Sequence, residues 1–158
     1  MPSFVNRRDL VAMAAGGLAA GLLAGPNARV RAADQQVTVY VLPGALPGPD
    51  GKGHDSFVPS TFAVKSGAAA QLEIVNYDTG AHTITAPTLN LNIQIAPAKK
   101  DGGKVTPVAT TYTLPPTKVG TYRWYCALQC DGPSHWAMDQ GYGGPGKEGY
   151  MAGFIVAI

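Results

Sequence analysis

Short runs of alternating apolar residues, separated by turns rich in Gly and Pro, are the feature that most limits the fold of this chain. Alternation with a period of two is typical of half-buried β-strands, and Gly/Pro clusters mark the turns between strands. The pattern predicts an all-β sandwich or barrel with about eight short strands. The predicted strands are residues 37–42, 57–64, 69–76, 82–86, 89–95, 108–114, 120–126 and 151–158.

Polar segments between these strands are predicted to be loops. Residues 96–107 are polar and rich in Gly and Lys, and residues 141–149 contain five glycines and a proline. His54 lies in a Gly-Lys-Gly-His-Asp sequence, and we expect its side chain to be solvated. The chain of 158 residues contains no internal repeat, and its length fits a single domain with an N-terminal appendage.

The N-terminal segment has the layout of an export signal. Arg7 and Arg8 precede an uncharged stretch rich in Ala, Gly and Leu, residues 10–24, and small residues follow it. The paired arginines are similar to the twin-arginine export signal. The apolar stretch is shorter than the roughly 20 residues of a transmembrane helix. An uncleaved amphipathic anchor is the alternative interpretation.

Cleavage after Ala32 or Ala33 would divide the chain into an export signal, residues 1–33, and a domain, residues 34–158. The signal contains four of the 12 basic and one of the 10 acidic residues, so cleavage changes the net charge from +2 to −1. This balance argues against a nucleic-acid partner. We expect the domain to be periplasmic or otherwise exported, without stable membrane insertion, in a compartment where unprotected thiols oxidise. The oligomeric state is left open.

Metal-binding side chains are concentrated near the C-terminus. Cys126 and Cys130 lie there together with His135, Met138 and Met151. Thiolate and thioether sulfur favour Cu(I), and imidazole suits both copper oxidation states, so this combination of ligands favours copper. A loop between two strands would let these side chains converge on one site.

Two other interpretations of the cysteines are open. An even pair in an exported chain can form a disulfide, Cys126–Cys130, which would make the protein a copper-free binding module. Zinc also binds Cys and His, but Cys-x3-Cys-x4-His is not a common zinc spacing. The sequence contains neither a nucleophile elbow nor a phosphate-binding loop, so we do not expect an enzyme.

Four motifs taken together resemble those of the cupredoxin family. They are Phe-Val-Pro at residues 57–59 with Val-Lys-Ser-Gly at 64–67, Asn-Tyr-Asp-Thr-Gly-Ala-His at 76–82, Gly-Thr-Tyr-Arg-Trp-Tyr-Cys at 120–126, and Met-Ala-Gly-Phe-Ile-Val at 151–156. The resemblance covers roughly residues 57–158. It implies a single Greek-key β-sandwich that binds copper at one end.

Within that family, Cys-x3-Cys followed by His and Met is similar to the copper A domain of cytochrome c oxidase subunit II and nitrous oxide reductase. In that domain two cysteines bridge two coppers, two histidines cap them, and a Met and a main-chain carbonyl complete the coordination. Carried over by position, the resemblance implies as ligands His82, Cys126, the Leu128 carbonyl, Cys130, His135 and Met138.

The weak ligand and the number of copper ions are left open. Met151 is the alternative to Met138, because it begins the terminal-strand motif. Four residues separate Cys130 from His135, one more than in the family pattern, so the site would hold one or two copper ions. The implied function is one-electron transfer with a redox protein partner, such as a cytochrome or an oxidase. A copper storage or delivery protein is the alternative.

Overall fold

The computed structural model describes residues 35–48, 51–130 and 150–158. These residues form eleven strands and one short 3₁₀ turn, Pro87–Leu89, so the predicted all-β class is confirmed. The strand count exceeds the predicted eight. The strands are β1 (Gln36–Pro47), β2 (Gly53–Val58), β3 (Thr61–Val64), β4 (Ala70–Asn76), β5 (His82–Ala86), β6 (Leu91–Ile95), β7 (Lys99–Asp101), β8 (Lys104–Thr106), β9 (Val108–Leu114), β10 (Gly120–Tyr125) and β11 (Ala152–Ala157).

The strands form two sheets and a separate hairpin. The first sheet has the order β2-β1-β4-β9, and the second has the order β3-β11-β10-β5-β6. Strands β7 and β8 pair only with each other. Two pairs are parallel, β1 with β4 and β11 with β3, and the other paired strands are antiparallel. The connection from β4 to β5 therefore leads from one sheet to the other.

A single hydrophobic core joins the two sheets into a β-sandwich. In β4, alternate residues are buried, and Leu72 and Ile74 are fully covered. Ile84, Trp124 and Ile155 reach the same cluster from the second sheet. Full burial of one such aliphatic or aromatic side chain contributes about 1.5–3 kcal/mol. The buried residues of the predicted alternating strands therefore form both inner faces of the sandwich.

Two predicted segments have a different local structure. The predicted strand at residues 57–64 is two strands in different sheets, because Pro59 lies between β2 and β3 and cannot donate a ladder hydrogen bond. The predicted loop at residues 96–107 is mostly exposed, as expected, although Ala98 is buried, and it contains the β7–β8 hairpin. The predicted loop at residues 141–149 lies outside the described residues.

The prediction of a solvated His54 is wrong. His54 is 4% exposed in β2, where it pairs with Leu46 at the far end of β1. Its ring packs edge-on against Tyr150, with 5.9 Å between the ring centroids. Tyr150, which covers His54, is nearly a hundred residues away in the chain. The polar residues next to His54 in the sequence therefore do not indicate that the histidine is buried.

Across the described part of the chain, no helix has the length and apolar character that a bilayer-spanning segment requires.

Candidate metal centre

Two adjacent strands bring the first two candidate ligands to one end of the second sheet. His82 is the first residue of β5, and Cys126 directly follows β10. The two strands are antiparallel neighbours, with Tyr125 opposite Thr85. The start of β5 and the end of β10 therefore lie side by side, and Cys130 follows in the loop after β10.

The ligand atoms of His82, Cys126 and Cys130 lie within 4.8 Å of one another. All three residues are buried, His82 and Cys126 completely. Neither cysteine forms a disulfide with a described residue, and their sulfur atoms are 3.3 Å apart with Cys130 donating to Cys126. The arrangement places two sulfurs and an imidazole around one small, dry site.

The surroundings of Cys126 favour its thiolate form. The hydrogen bond from Cys130 lowers the pKa of Cys126 to about 4, against burial, which raises it. His82 and the backbone N–H of Thr83, 3.4 Å from the sulfur, also lower this pKa. Because the thiolate is the form of cysteine that binds a metal, the sulfur is prepared for coordination.

Thr83 also holds the chain that follows Cys126. Its hydroxyl accepts a hydrogen bond from the backbone N–H of Ala127 at 2.7 Å. The carbonyl oxygen of Leu128 lies 3.7 Å from the Cys126 sulfur, so the main-chain group predicted as a ligand lies next to one of the predicted bridging atoms.

His82 has one occupied and one unoccupied ring nitrogen. Its Nε2 lies 2.9 Å from a carboxylate oxygen of Asp78, and its buried Nδ1 has no hydrogen-bond partner among the described residues. Burial lowers the pKa of His82, but Cys126 and Asp78 raise it, and the net direction is upward. Since Nε2 is engaged, Nδ1 is the nitrogen left to bind a metal. A buried polar atom without a partner is costly, and a metal ion would remove that cost.

The residues present fit copper. Two cysteine sulfurs and an imidazole nitrogen, all shielded from water, form the soft and borderline donor set that suits this metal. Met151 is 1% exposed in the hydrophobic core, and its carbonyl oxygen accepts the backbone N–H of Cys126 at 2.8 Å. The predicted ligands His135 and Met138 lie outside the described residues.

Two carboxylates near His82 were not predicted from the sequence to be part of the site. Asp55 and Asp78 offer carboxylate oxygens within 4.8 Å of each other and of a ring nitrogen of His82. Asp78 lies inside the motif at residues 76–82, where its spacing of four from the histidine was an available signal. Nothing in the local sequence around Asp55 indicates that β2 would place it there.

Comparison with solved structures finds matches to copper proteins and to an oxidase chain. Reduced rusticyanin shares 21% identity, with 78% of each chain covered and a TM-score of 0.47. A chain of a heme-copper terminal oxidase dimer shares 16% identity over 82% of this chain and 68% of its own, with a TM-score of 0.45. A purple cupredoxin from Nitrosopumilus maritimus shares 15% identity over 77% and 99%, with a TM-score of 0.39. No curated protein sequence matches the chain.

The family is established by sequence. A family model described as the cupredoxin-like domain matches residues 13–134, which is more than half of the chain. The match includes His82, Cys126 and Cys130, the three residues that the fold brings together. The chain therefore belongs to the cupredoxin-like family.

Proposed function

We propose that this protein is an exported copper-binding electron carrier with a dinuclear centre similar to copper A. The observation that carries the proposal is the pair of buried, unbridged cysteine sulfurs 3.3 Å apart, beside the Nδ1 of His82, which has no hydrogen-bond partner among the described residues. One thiolate and one imidazole would suffice for a single copper. The second buried sulfur, so close to the first, supports a site in which Cys126 and Cys130 bridge two ions.

The remaining ligands of this proposed site are inferred from the sequence. His135 would be the second terminal histidine, and the Leu128 carbonyl would complete one coordination shell. Met138 or Met151 would be the weak ligand. No bond of a substrate changes in this function, so the protein would be a carrier and not an enzyme.

The residues of the site would keep its geometry nearly constant during electron transfer. When bound, copper supplies a one-electron couple between its +1 and +2 states. Cys126 is held by the N–H of Thr83, and His82 is held by Asp78. Because these donors are buried and fixed from two adjacent strands, little movement of protein or water would accompany a change in charge. A redox protein such as a cytochrome or an oxidase would be the partner.

The two alternatives make different demands on the same residues. A copper storage or delivery protein needs donors that exchange metal readily, which a fully buried His82 and Cys126 do not favour. A binding module with a Cys126–Cys130 disulfide would have no thiolate to offer. The lack of a bond between the two sulfurs and the low pKa of Cys126 support a metal site instead.

Copper loading of residues 34–158 tests the proposal. We expect two coppers per chain, thiolate-to-copper charge-transfer absorption, and an electron paramagnetic resonance spectrum in which one unpaired electron couples to two copper nuclei. Voltammetry should give a reversible wave. Cys126→Ser and Cys130→Ser should each leave at most a mononuclear site, and replacement of both cysteines by Ser should abolish the absorption.

Each contrary result identifies a different failure. Absence of charge-transfer absorption in the copper-loaded protein would exclude the copper proposal, and an absence of free thiols in the metal-free protein would favour the disulfide. Copper binding without a reversible wave would favour storage or delivery. Met138→Leu and Met151→Leu, compared with each other, identify the weak ligand as the one whose loss shifts the spectrum.

The proposal includes export of the domain by the segment 1–33. The paired arginines at positions 7 and 8 support a twin-arginine route. Replacement of both by Lys should retain the full-length chain inside the cell, whereas replacement of Arg29 by Lys should leave export unchanged. Fractionation and mass determination of the exported chain would reveal both the route and the cleavage site, and normal export of the double variant would exclude the twin-arginine signal.

A further inference from the structure

The turn between β4 and β5 is closed by side chains from within it. Asn76, the last residue of β4, accepts the backbone N–H of Asp78 at 2.8 Å and donates to the carbonyl of Gly80 at 2.9 Å. Its amide also donates to the carbonyl of Ala96 at 3.0 Å, which ties the turn to the end of β6. Because Asn76 is fully buried, these bonds are shielded from competing water.

The same turn fixes the carboxylate of Asp78 from two sides. One carboxylate oxygen accepts the N–H of Gly80 at 3.1 Å and lies 2.9 Å from Nε2 of His82. The backbone carbonyl of Asp78 accepts the N–H of Ala98 at 2.8 Å, which holds the main chain in place as well. The side chain of Asp78 is 20% exposed, while that of His82 is fully buried.

We propose that Asp78 is a positioning residue that holds His82 with its proton on Nε2 and its Nδ1 turned to the metal site. A carboxylate accepts a hydrogen bond but cannot donate one, so a neutral His82 beside it must carry its proton on Nε2. The lone pair is then on Nδ1, the buried ring nitrogen for which the described part of the chain offers no hydrogen-bond partner. This inference rests on the proposed copper site at His82.

Gly80 is part of this arrangement because it leaves room for the carboxylate. A Cβ atom on Gly80 would lie 2.6 Å from the same Asp78 oxygen and 3.7 Å from Nε2 of His82. Any side chain at position 80 would therefore push the carboxylate off the imidazole. The turn admits the Asp78–His82 hydrogen bond only with glycine at this position.

The other carboxylate near His82 has a different role. Asp55 lies within reach of the imidazole, but its Oδ1 accepts the backbone N–H of Gly44 at 2.8 Å, which joins β2 to the bent part of β1. It adds negative charge near the imidazole.

The hydrogen bond from His82 to Asp78 would affect both the copper affinity and the reduction potential of the site. A charged hydrogen-bond acceptor on the far nitrogen makes the ligating nitrogen more basic, and loss of such a partner typically lowers metal affinity by about 10–100-fold. A more basic ligand favours the more highly charged ion. Removal of the Asp78 carboxylate should therefore weaken copper binding and raise the reduction potential.

The first experiment needs no copper. In metal-free protein labelled with ¹⁵N-histidine, nuclear magnetic resonance at a pH where the imidazole is neutral should give the Nε2-protonated tautomer for His82. Asp78→Ala and Gly80→Ala should shift the population toward the other tautomer. Asp101→Asn, on the exposed β7–β8 hairpin, is the matched control and should leave it unchanged. A wild-type His82 protonated on Nδ1 would overturn the proposal, whatever the protein does with copper.

The second experiment uses copper-loaded protein. Asp78→Asn keeps a hydrogen-bond acceptor without the charge, so it should raise the reduction potential less than Asp78→Ala, and both should reduce copper affinity by about 10–100-fold. Asp78→Glu should recover part of the loss. Equal potentials in wild type, Asp78→Asn and Asp78→Ala would overturn the proposal, provided that urea unfolding shows the variants to be folded. A wild-type protein that binds no copper would instead contradict the proposed function and leave the tautomer result standing.

Discussion

Asn76 shows how one buried polar residue supports the metal site without being part of it. Its side chain makes three hydrogen bonds, to the N–H of Asp78 and to the carbonyls of Gly80 and Ala96. Asn76→Ala would leave these backbone groups without partners in a buried place, at a cost of about 1–3 kcal/mol for each group that water cannot reach. We expect the metal-free protein to lose about 3 kcal/mol of unfolding free energy, measured by urea denaturation.

The control is Asn92→Ala in β6. Asn92 is exposed and accepts hydrogen bonds only from the side chains of Thr85 and Gln94. Surface substitutions of this kind usually change stability by no more than about 0.5 kcal/mol. If the two variants lose the same amount of stability, the hydrogen bonds of Asn76 do not hold the turn, and the account of its role is wrong.

Which residues of the site were predictable depends on the range of the interactions. His82, Cys126 and Cys130 were predicted because their residue types and spacing are local features of the sequence, and the fold brings them together. The role of Asp78 depends on how the turn folds its carboxylate back onto His82, and residue types alone do not reveal that geometry. Asp55 lies in β2, a different strand from the one that His82 begins.

At the scale of the strand, periodicity predicts which segments are extended but not which segments are neighbours. Alternation correctly indicated β4, whose alternate residues are buried, and β9, whose alternate residues are partly buried up to the buried Leu114. The parallel pairing of β1 with β4 joins Gln36 to Gln71, and that of β11 with β3 joins Phe154 to Thr61. Such partners are selected by the packing of the whole core, so a local pattern of apolar residues does not identify them.

Strand β11 depends on the absence of a side chain at Gly153. This residue pairs with Trp124 of β10, and a Cβ atom added to it would overlap the backbone carbonyl of Ser60. The close approach lets Ser60 accept the N–H of Phe154 at 3.2 Å, where β11 begins to pair with β3. Because a backbone carbonyl cannot move aside cheaply, Gly153→Ala should cost about 3 kcal/mol in thermal or urea unfolding.

Gly120→Ala in β10 is the matched control for this substitution. There the added Cβ atom would meet only the far end of the Tyr122 side chain, at 3.2 Å from its hydroxyl oxygen. The ring can shift by a few tenths of an ångström, and we expect a loss below about 1 kcal/mol. A Gly153→Ala variant as stable as Gly120→Ala would mean that β11 and the Ser60 segment separate easily.

For the molecule as a whole, the fold should not depend on copper, because most of the core lies outside the ligand set, although Cys126, Cys130 and Met151 belong to both. Leu72, Ile74, Ile84 and Ile155 are fully buried between the sheets and contribute nothing to the ligand set. Metal-free protein should therefore keep the far-ultraviolet circular dichroism of the loaded form.

Copper should also stabilise the fold, because it binds the native state. Free copper at about 100 times its dissociation constant should add about 2.7 kcal/mol to the unfolding free energy, or roughly 10 °C to the unfolding midpoint. The double variant Cys126→Ser with Cys130→Ser, titrated in the same way, should show at most a small shift. Loss of β structure on copper removal would contradict this division between core and site, and an equal midpoint shift in the variant would mean that copper stabilises the protein from some other place.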